Sequence, residues 1–176
     1  MNEKKKFIIL DDHPSMCTGI RSIIENTHKF VCVGEANTIK QFNSLMLKSD
    51  HLSLAIVDIA LTDESGFDIF SLKESSEQLP PLLFISMHIK PNYVIKAITL
   101  GGRGYISKNS PPETVVEAAT RVSSGSHYFD SYAADAIAAW IRSIPKGHQI
   151  VENKNYNSLS KREKEIVLLF AQGNSA

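Results

Sequence analysis

The chain has little of what marks a secreted, membrane-spanning or unstructured protein. Its two cysteines, Cys17 and Cys32, lie inside apolar patterns, with no CxxC spacing and no histidine at ligand spacing. That excludes a disulfide scaffold and fits buried thiols in a reducing compartment. No apolar run approaches the roughly 18 to 20 residues that cross a bilayer. The opening Met1-Asn2-Glu3-Lys4-Lys5-Lys6 leads straight into a short strand, not into a signal-peptide apolar region. A cytoplasmic protein without membrane attachment is expected. Nine glycines and seven prolines in 176 residues, with 43% hydrophobic residues, exclude a disordered chain. Net charge is missing too: 19 basic residues balance 19 acidic ones, so no overall field draws in nucleic acid or a lipid surface. From Phe129 onward six basic residues face five acidic ones, and none of them forms a phosphate-binding stripe.

What is present is alternation. The apolar runs 7–10, 30–33, 54–57, 82–85 and 105–106 are short, rich in Ile, Val and Phe, and continuous rather than alternating with polar residues. Such runs suit parallel strands buried on both faces. Between them the apolar spacing turns helical. Met16, Ile20, Ile23 and Ile24 form one stripe, and Ile39, Phe42, Leu45 and Met46 form another behind a Thr38/Gln41 capping box. Phe67, Phe70 and Leu72 predict a third helix, and Val94, Ala97 and Ile98 a fourth. A fifth is expected to be capped by Ser110 ahead of Pro111-Pro112-Glu113 and to end at Ser124-Gly125. Five strands and five helices imply right-handed crossovers and a five-stranded, parallel, doubly wound α/β sheet. The site of such a sheet lies outside the carboxyl ends of its strands, where strand order reverses.

Several reactive side chains fall at those ends. Asp11 and Asp12 close the first run, Asp58 the third, Ser86 the fourth and Lys108 the fifth. Two or three carboxylates suit Mg²⁺, a hard cation that prefers oxygen ligands, and without a cation they would repel one another. Asp58 can then stay ionised and attack phosphorus as a carboxylate nucleophile. Lys108 would neutralise the phosphoryl oxygens and Ser86 would donate a hydrogen bond to one of them. Taken singly, each has an ordinary role: Asp11 and Asp12 as caps of a helix starting near Ser15, Ser86 as a turn residue, Lys108 as a solvated side chain. Their convergence favours phosphoryl chemistry. His13 and His88 flank the site and are expected to be loop residues, because the donor set is already oxygen-rich. Asp63 and Glu64 are expected to be solvated.

The stretches FIILDDHPSMCTGIRSIIE, LAIVDI, LLFISMHIKPNYVIKAITLGGRGYISK and LSKREKEIVLLFAQGNSA resemble two-component response regulators, in the NarL/FixJ-like subfamily whose receiver precedes a LuxR-type helix-turn-helix. The resemblance implies a flavodoxin-like receiver with Asp58 as phosphoacceptor and Asp11 and Asp12 as ligands of Mg²⁺ (or Mn²⁺). It adds the backbone carbonyl of Ala60 as a further metal ligand, Ser86 as the switch hydroxyl, Lys108 as the phosphate-binding lysine and Tyr105 as an aromatic that turns inward on phosphorylation. A sensor histidine kinase is the implied partner, with a homodimer in addition. Two departures stand out. The loop Leu61-Thr62-Asp63-Glu64-Ser65-Gly66 lacks the family's proline and is expected to be looser. Asn109 follows Lys108 where many receivers have proline, so no cis bond is assumed there.

The organisation expected is a receiver over residues 1–125, a linker over 126–158 with a helix at 129–140 and a polar flexible stretch at 144–157, and the first helix of a LuxR-type domain over 159–176. Ala133, Ala136, Ile137 and Trp140 give the linker its helical spacing, and Ser160 with Glu163 caps the last helix. Supporting and recognition helices would follow, and bases are read through the second helix of the motif. DNA binding is therefore expected only of a longer form with a complete helix-turn-helix. Competing functions are a phosphohydrolase using an aspartyl-phosphate, which would need a second acid and a cap segment, and an unphosphorylated binding module on the same fold.

Overall fold

Successive side chains of a strand point to opposite faces, so an unbroken apolar run belongs between two cores. The computed structural model, which describes residues 3–74 and 79–143, has that arrangement. In β1 (Lys5–Leu10), Phe7 and Ile9 enter one buried cluster and Ile8 and Leu10 the other. The same division holds in β3 (Leu52–Val57), with Leu54 and Ile56 against Ala55 and Val57, and in β4 (Leu82–Ser86), with Leu83 and Ile85 against Leu82 and Phe84. One core holds α1 (Pro14–Glu25) and α4 (Pro112–Val122) on the sheet. The other holds α2 (Ile39–Lys48), a 3-10 helix (Gly66–Glu74), α3 (Pro91–Leu100) and α5 (Ser131–Ser143).

The strands, with β2 (Phe30–Ala36), β5 (Gly104–Ser107) and β6 (Tyr128–Phe129), lie in the order β2-β1-β3-β4-β5-β6, all parallel. The chain starts in the middle, builds one edge and then crosses to build the other. Strand order therefore reverses between β1 and β3, and a crevice opens at their carboxyl ends. There the Asp58 amide donates to the Leu10 carbonyl at 2.8 Å, and the Asp11 amide to the Ala36 carbonyl at 3.0 Å.

The doubly wound parallel α/β architecture is as expected, with three changes of detail. Among the described residues the sheet has six strands, not five: the pair Tyr128–Phe129 is too short to show as an apolar run, yet it hydrogen-bonds along β5. The third helix is a 3-10 segment that opens at Gly66, with Phe67 and Ile69 buried. A Cβ on Gly66 would come within 1.9 Å of the Asp58 carbonyl, so this residue has to be glycine for the segment to close on β3. The fifth predicted helix is α4, but Pro111 occupies its N-cap position and no side chain caps it. Ser110 is bound elsewhere. Thr38 caps α2 by accepting from the Gln41 amide at 3.2 Å, while the Gln41 side chain accepts from the Asn37 amide at 3.0 Å, one residue earlier than a capping box requires. The helix expected over 129–140 is α5, whose Ala133, Ala136 and Ile137 join the same core as Val94, Ala97 and Ile98 of α3. Residues 144–176, with the expected polar stretch and final helix, lie outside the described residues.

Candidate functional site

The carboxyl ends of β1, β3, β4 and β5 bring Asp11, Asp12, Asp58, Ser86 and Lys108 to one place. Asp11 and Asp58 are almost wholly buried, at 3% and 4% exposure. Lys108 Nζ stands between them, 2.7 Å from Asp11 Oδ2 and 2.8 Å from Asp58 Oδ2. Burial pushes the Asp58 carboxyl up from its ordinary value, the Lys108 ammonium pulls it down, and Asp11 adds to the rise, which prevails. At Lys108 burial works against the charged form, but hydrogen bonds to the two carboxylates outweigh it and the pKa is raised.

Asp12 is held differently. Its Oδ2 accepts from the amide and the hydroxyl of Thr62, and the hydroxyl is the chief reason its pKa is lowered. Its Oδ1 is buried and receives no hydrogen bond, while His13 Nδ1 lies 2.7 Å away and makes an ion pair only when protonated. Ligand atoms of Asp11, Asp12, His13 and Asp58 all lie within 4.8 Å of one another. An unsatisfied carboxylate oxygen among hard oxygen donors fits a divalent cation such as Mg²⁺, with His13 at its margin. Ala60 follows at the mouth of β3, its amide donating to Asp58 Oδ1 at 3.3 Å.

Ser86 is fully buried, and its Oγ accepts from the His88 amide at 3.1 Å. The Lys108 amide donates to the Ser86 carbonyl at 3.0 Å, so the hydroxyl and the ammonium share one strand pair. Tyr105 faces inward with its ring fully buried, and its hydroxyl donates to the His88 carbonyl. The His88 ring stacks on Tyr93 with centroids 4.8 Å apart. Among the described residues no peptide bond is cis, the Lys108–Asn109 bond included.

The loop after Asp58 is tied down rather than loose. Thr62 clasps Asp12, Ala60 and Ser65 form an antiparallel bridge, and Glu64 Oε2 accepts from the Ile39 amide at 2.9 Å in the first turn of α2. Glu64 is thus engaged and not merely solvated. The Thr62 and Glu64 bonds span 50 and 25 residues, which leaves no local pattern to read. Asp130, likewise missed, could have been found: an acid directly before an alanine-rich helical stripe is an N-cap signal.

Residues 7–120 match the family model of the response regulator receiver domain. The chain belongs to that family. Its relatives are NarL- and LuxR-type regulators of two-component systems. The nitrate/nitrite response regulator NarL of Escherichia coli K12 is 24% identical over 171 residues, spanning 97% of this chain and 77% of NarL. A LuxR-family response regulator from Aurantimonas sp. SI85-9A1 shares the fold at a TM-score of 0.73 and 23% identity, over 80% of this chain and 99% of that one. So does the isolated receiver domain of RcsB from Salmonella enterica serovar Typhimurium, solved with the phosphomimetic BeF3⁻, at 0.68 and 19% over 76% and 99%. RcsB has also been solved as two dimers bound to two parallel DNAs. Response regulators of this kind pair with histidine kinases and regulate transcription rather than acting as conventional enzymes. Among the described residues no helix is long and apolar enough to cross a membrane.

Proposed function

We propose that this chain is a phosphorylation-driven switch in which Asp58 accepts a phosphoryl group from a histidine kinase. The observation that carries this reading is the Lys108 ammonium held at 2.7 and 2.8 Å between two buried carboxylates at the point where strand order reverses. A carboxylate oxygen of Asp58 forms the new bond to phosphorus as the phosphorus–nitrogen bond of the donor's phosphohistidine breaks, and the departing imidazole takes up a proton. Asp11, Asp12, Asp58 and the Ala60 carbonyl would hold Mg²⁺ or Mn²⁺. What a bound cation supplies there is neutralisation of charge shared between the carboxylates and the phosphoryl oxygens. Lys108 exchanges its contact with Asp58 for the phosphoryl oxygens, and the Ser86 hydroxyl donates to one of them. Tyr105, already inward, stays packed as the β4–α3 loop moves toward the new charge. A longer form with a complete helix-turn-helix would carry the signal to DNA, as a homodimer.

The test is intact mass after incubation with Mg²⁺ and acetyl phosphate. One phosphate adduct per chain, absent in Asp58→Asn, is expected. Many turnovers without an adduct would point to a phosphohydrolase, and no adduct with any donor to an inert module.

A further inference from the structure

Outside the site one more buried acid stands out. Asp130 is 5% exposed, and its two oxygens serve two different elements. Oδ2 accepts from the Ser107 amide at 2.6 Å and the Ser110 hydroxyl at 2.5 Å, both in the turn that carries Lys108. Oδ1 accepts from the Ala133 amide at 2.8 Å, and the Asp130 carbonyl accepts from the Ala134 amide at 2.8 Å, which together close the first turn of α5. One planar carboxylate therefore joins the strand end next to the site to the start of the last described helix. The turn has little slack. The Asn109 amide donates to Ser107 Oγ at 3.1 Å and the Ser110 amide to the Ser107 carbonyl at 3.0 Å.

We propose that Asp130 is a positioning residue that reports the state of Asp58 to α5, and through α5 to the chain beyond Ser143. The inference rests on the phosphoryl reading above. When Lys108 leaves the Asp58 carboxylate for phosphoryl oxygens, its main chain and that of Ser107 shift with it. Oδ2 is bound to that main chain, and Oδ1 is fixed to Oδ2 by the carboxylate plane. The displacement is thus imposed on the cap of α5. Ala133 and Ile137 share a buried core with Tyr105, so the cap and the packed face of α5 move together.

The test is hydrogen exchange of the full 176-residue chain with and without beryllofluoride and Mg²⁺, with loading followed by native mass spectrometry. In the wild type, loading changes the exchange of α5 amides several-fold. Asp130→Asn loads with unchanged affinity but loses that difference, because an amide cannot accept at both positions. Ser110→Ala, which removes a single donor at the surface of the turn, loads normally and shows a reduced difference, so the inference stays testable should Asp130→Asn fold poorly. Ile137→Ala loosens α5 in both states and keeps the difference, which separates transmission from simple packing. A loaded wild type with unchanged α5 exchange, or an Asp130→Asn chain that retains the full difference, overturns the coupling alone. A wild type that takes up no beryllofluoride overturns the phosphoryl reading and the coupling with it.

Discussion

Asp58 and Asp130 are buried to nearly the same degree, at 4% and 5% exposure, and each directly follows a strand, β3 and β6, yet they are satisfied by different means. Asp58 faces a cation, a second acid and a single amide, that of Ala60; Asp130 faces two amides and a hydroxyl and, among the described residues, no cation. A carboxylate with both oxygens held by fixed neutral donors offers little to an incoming electrophile. One compensated by a mobile ammonium keeps oxygens that can be exposed when the ammonium moves. The contrast, more than burial, separates the acid suited to chemistry from the acid suited to holding structure.

The largest effects test this contrast directly. Lys108→Met leaves Asp11 and Asp58 facing each other without a counter-charge and should lower the unfolding free energy by about 3 kcal/mol. Asp130→Ala leaves the buried Ser107 amide without an acceptor and α5 without a cap, a loss of about 3 kcal/mol as well. Urea unfolding with added Mg²⁺ distinguishes the two, since the ion should recover part of the first loss and none of the second. Recovery of both, or of neither, would break the contrast.

A smaller effect follows from acid–base linkage. The folded-state pKa of Asp58 lies above the ordinary 3.8, so the folded protein binds that proton more tightly than the unfolded chain. Stability contributed by this group is then greatest in acid and falls as pH rises through the interval above 3.8. Asp58→Asn removes the dependence, and thermal unfolding without divalent ions should find the variant gaining on the wild type as pH rises from about 4 to 7. Asp12 has the opposite sign. Its pKa is lowered, so its stabilisation is present above 3.8 and is lost as pH falls below that value. Thr62→Val keeps the amide bond to Asp12 and removes the hydroxyl, so the smallest loss is expected here, about 1 kcal/mol at neutral pH and less in acid.

The strands and the acids at their ends were legible in the sequence because each is a local pattern: a continuous apolar run followed by one charged or hydroxyl residue. Phe7 to Leu10 followed by Asp11-Asp12 is such a case, and Leu54 to Val57 followed by Asp58 is another. β6 was not legible, since two residues cannot establish a period and its partner is fixed only when α4 returns the chain to β5. Ser110 misled for a related reason. Its position ahead of two prolines and an acid fits a cap, but its hydroxyl is taken by an acid 20 residues on, which local spacing does not record. Thr62 and Glu64 belong to the same class, and so the loop after Asp58 looked freer in sequence than it is.

The sheet is closed on one side by an economical device. β5 would present an open row of backbone donors and acceptors to any passing chain, an invitation to edge-to-edge aggregation. Two residues of β6 occupy part of that row, the Asp130 amide donates to the Tyr105 carbonyl at 3.3 Å, and the Asp130 carboxylate then takes the next donor, the Ser107 amide, in place of a further strand residue. A side chain finishes what the main chain began. Loss of Asp130 should therefore show itself in the test tube also as a tendency to self-associate through β5.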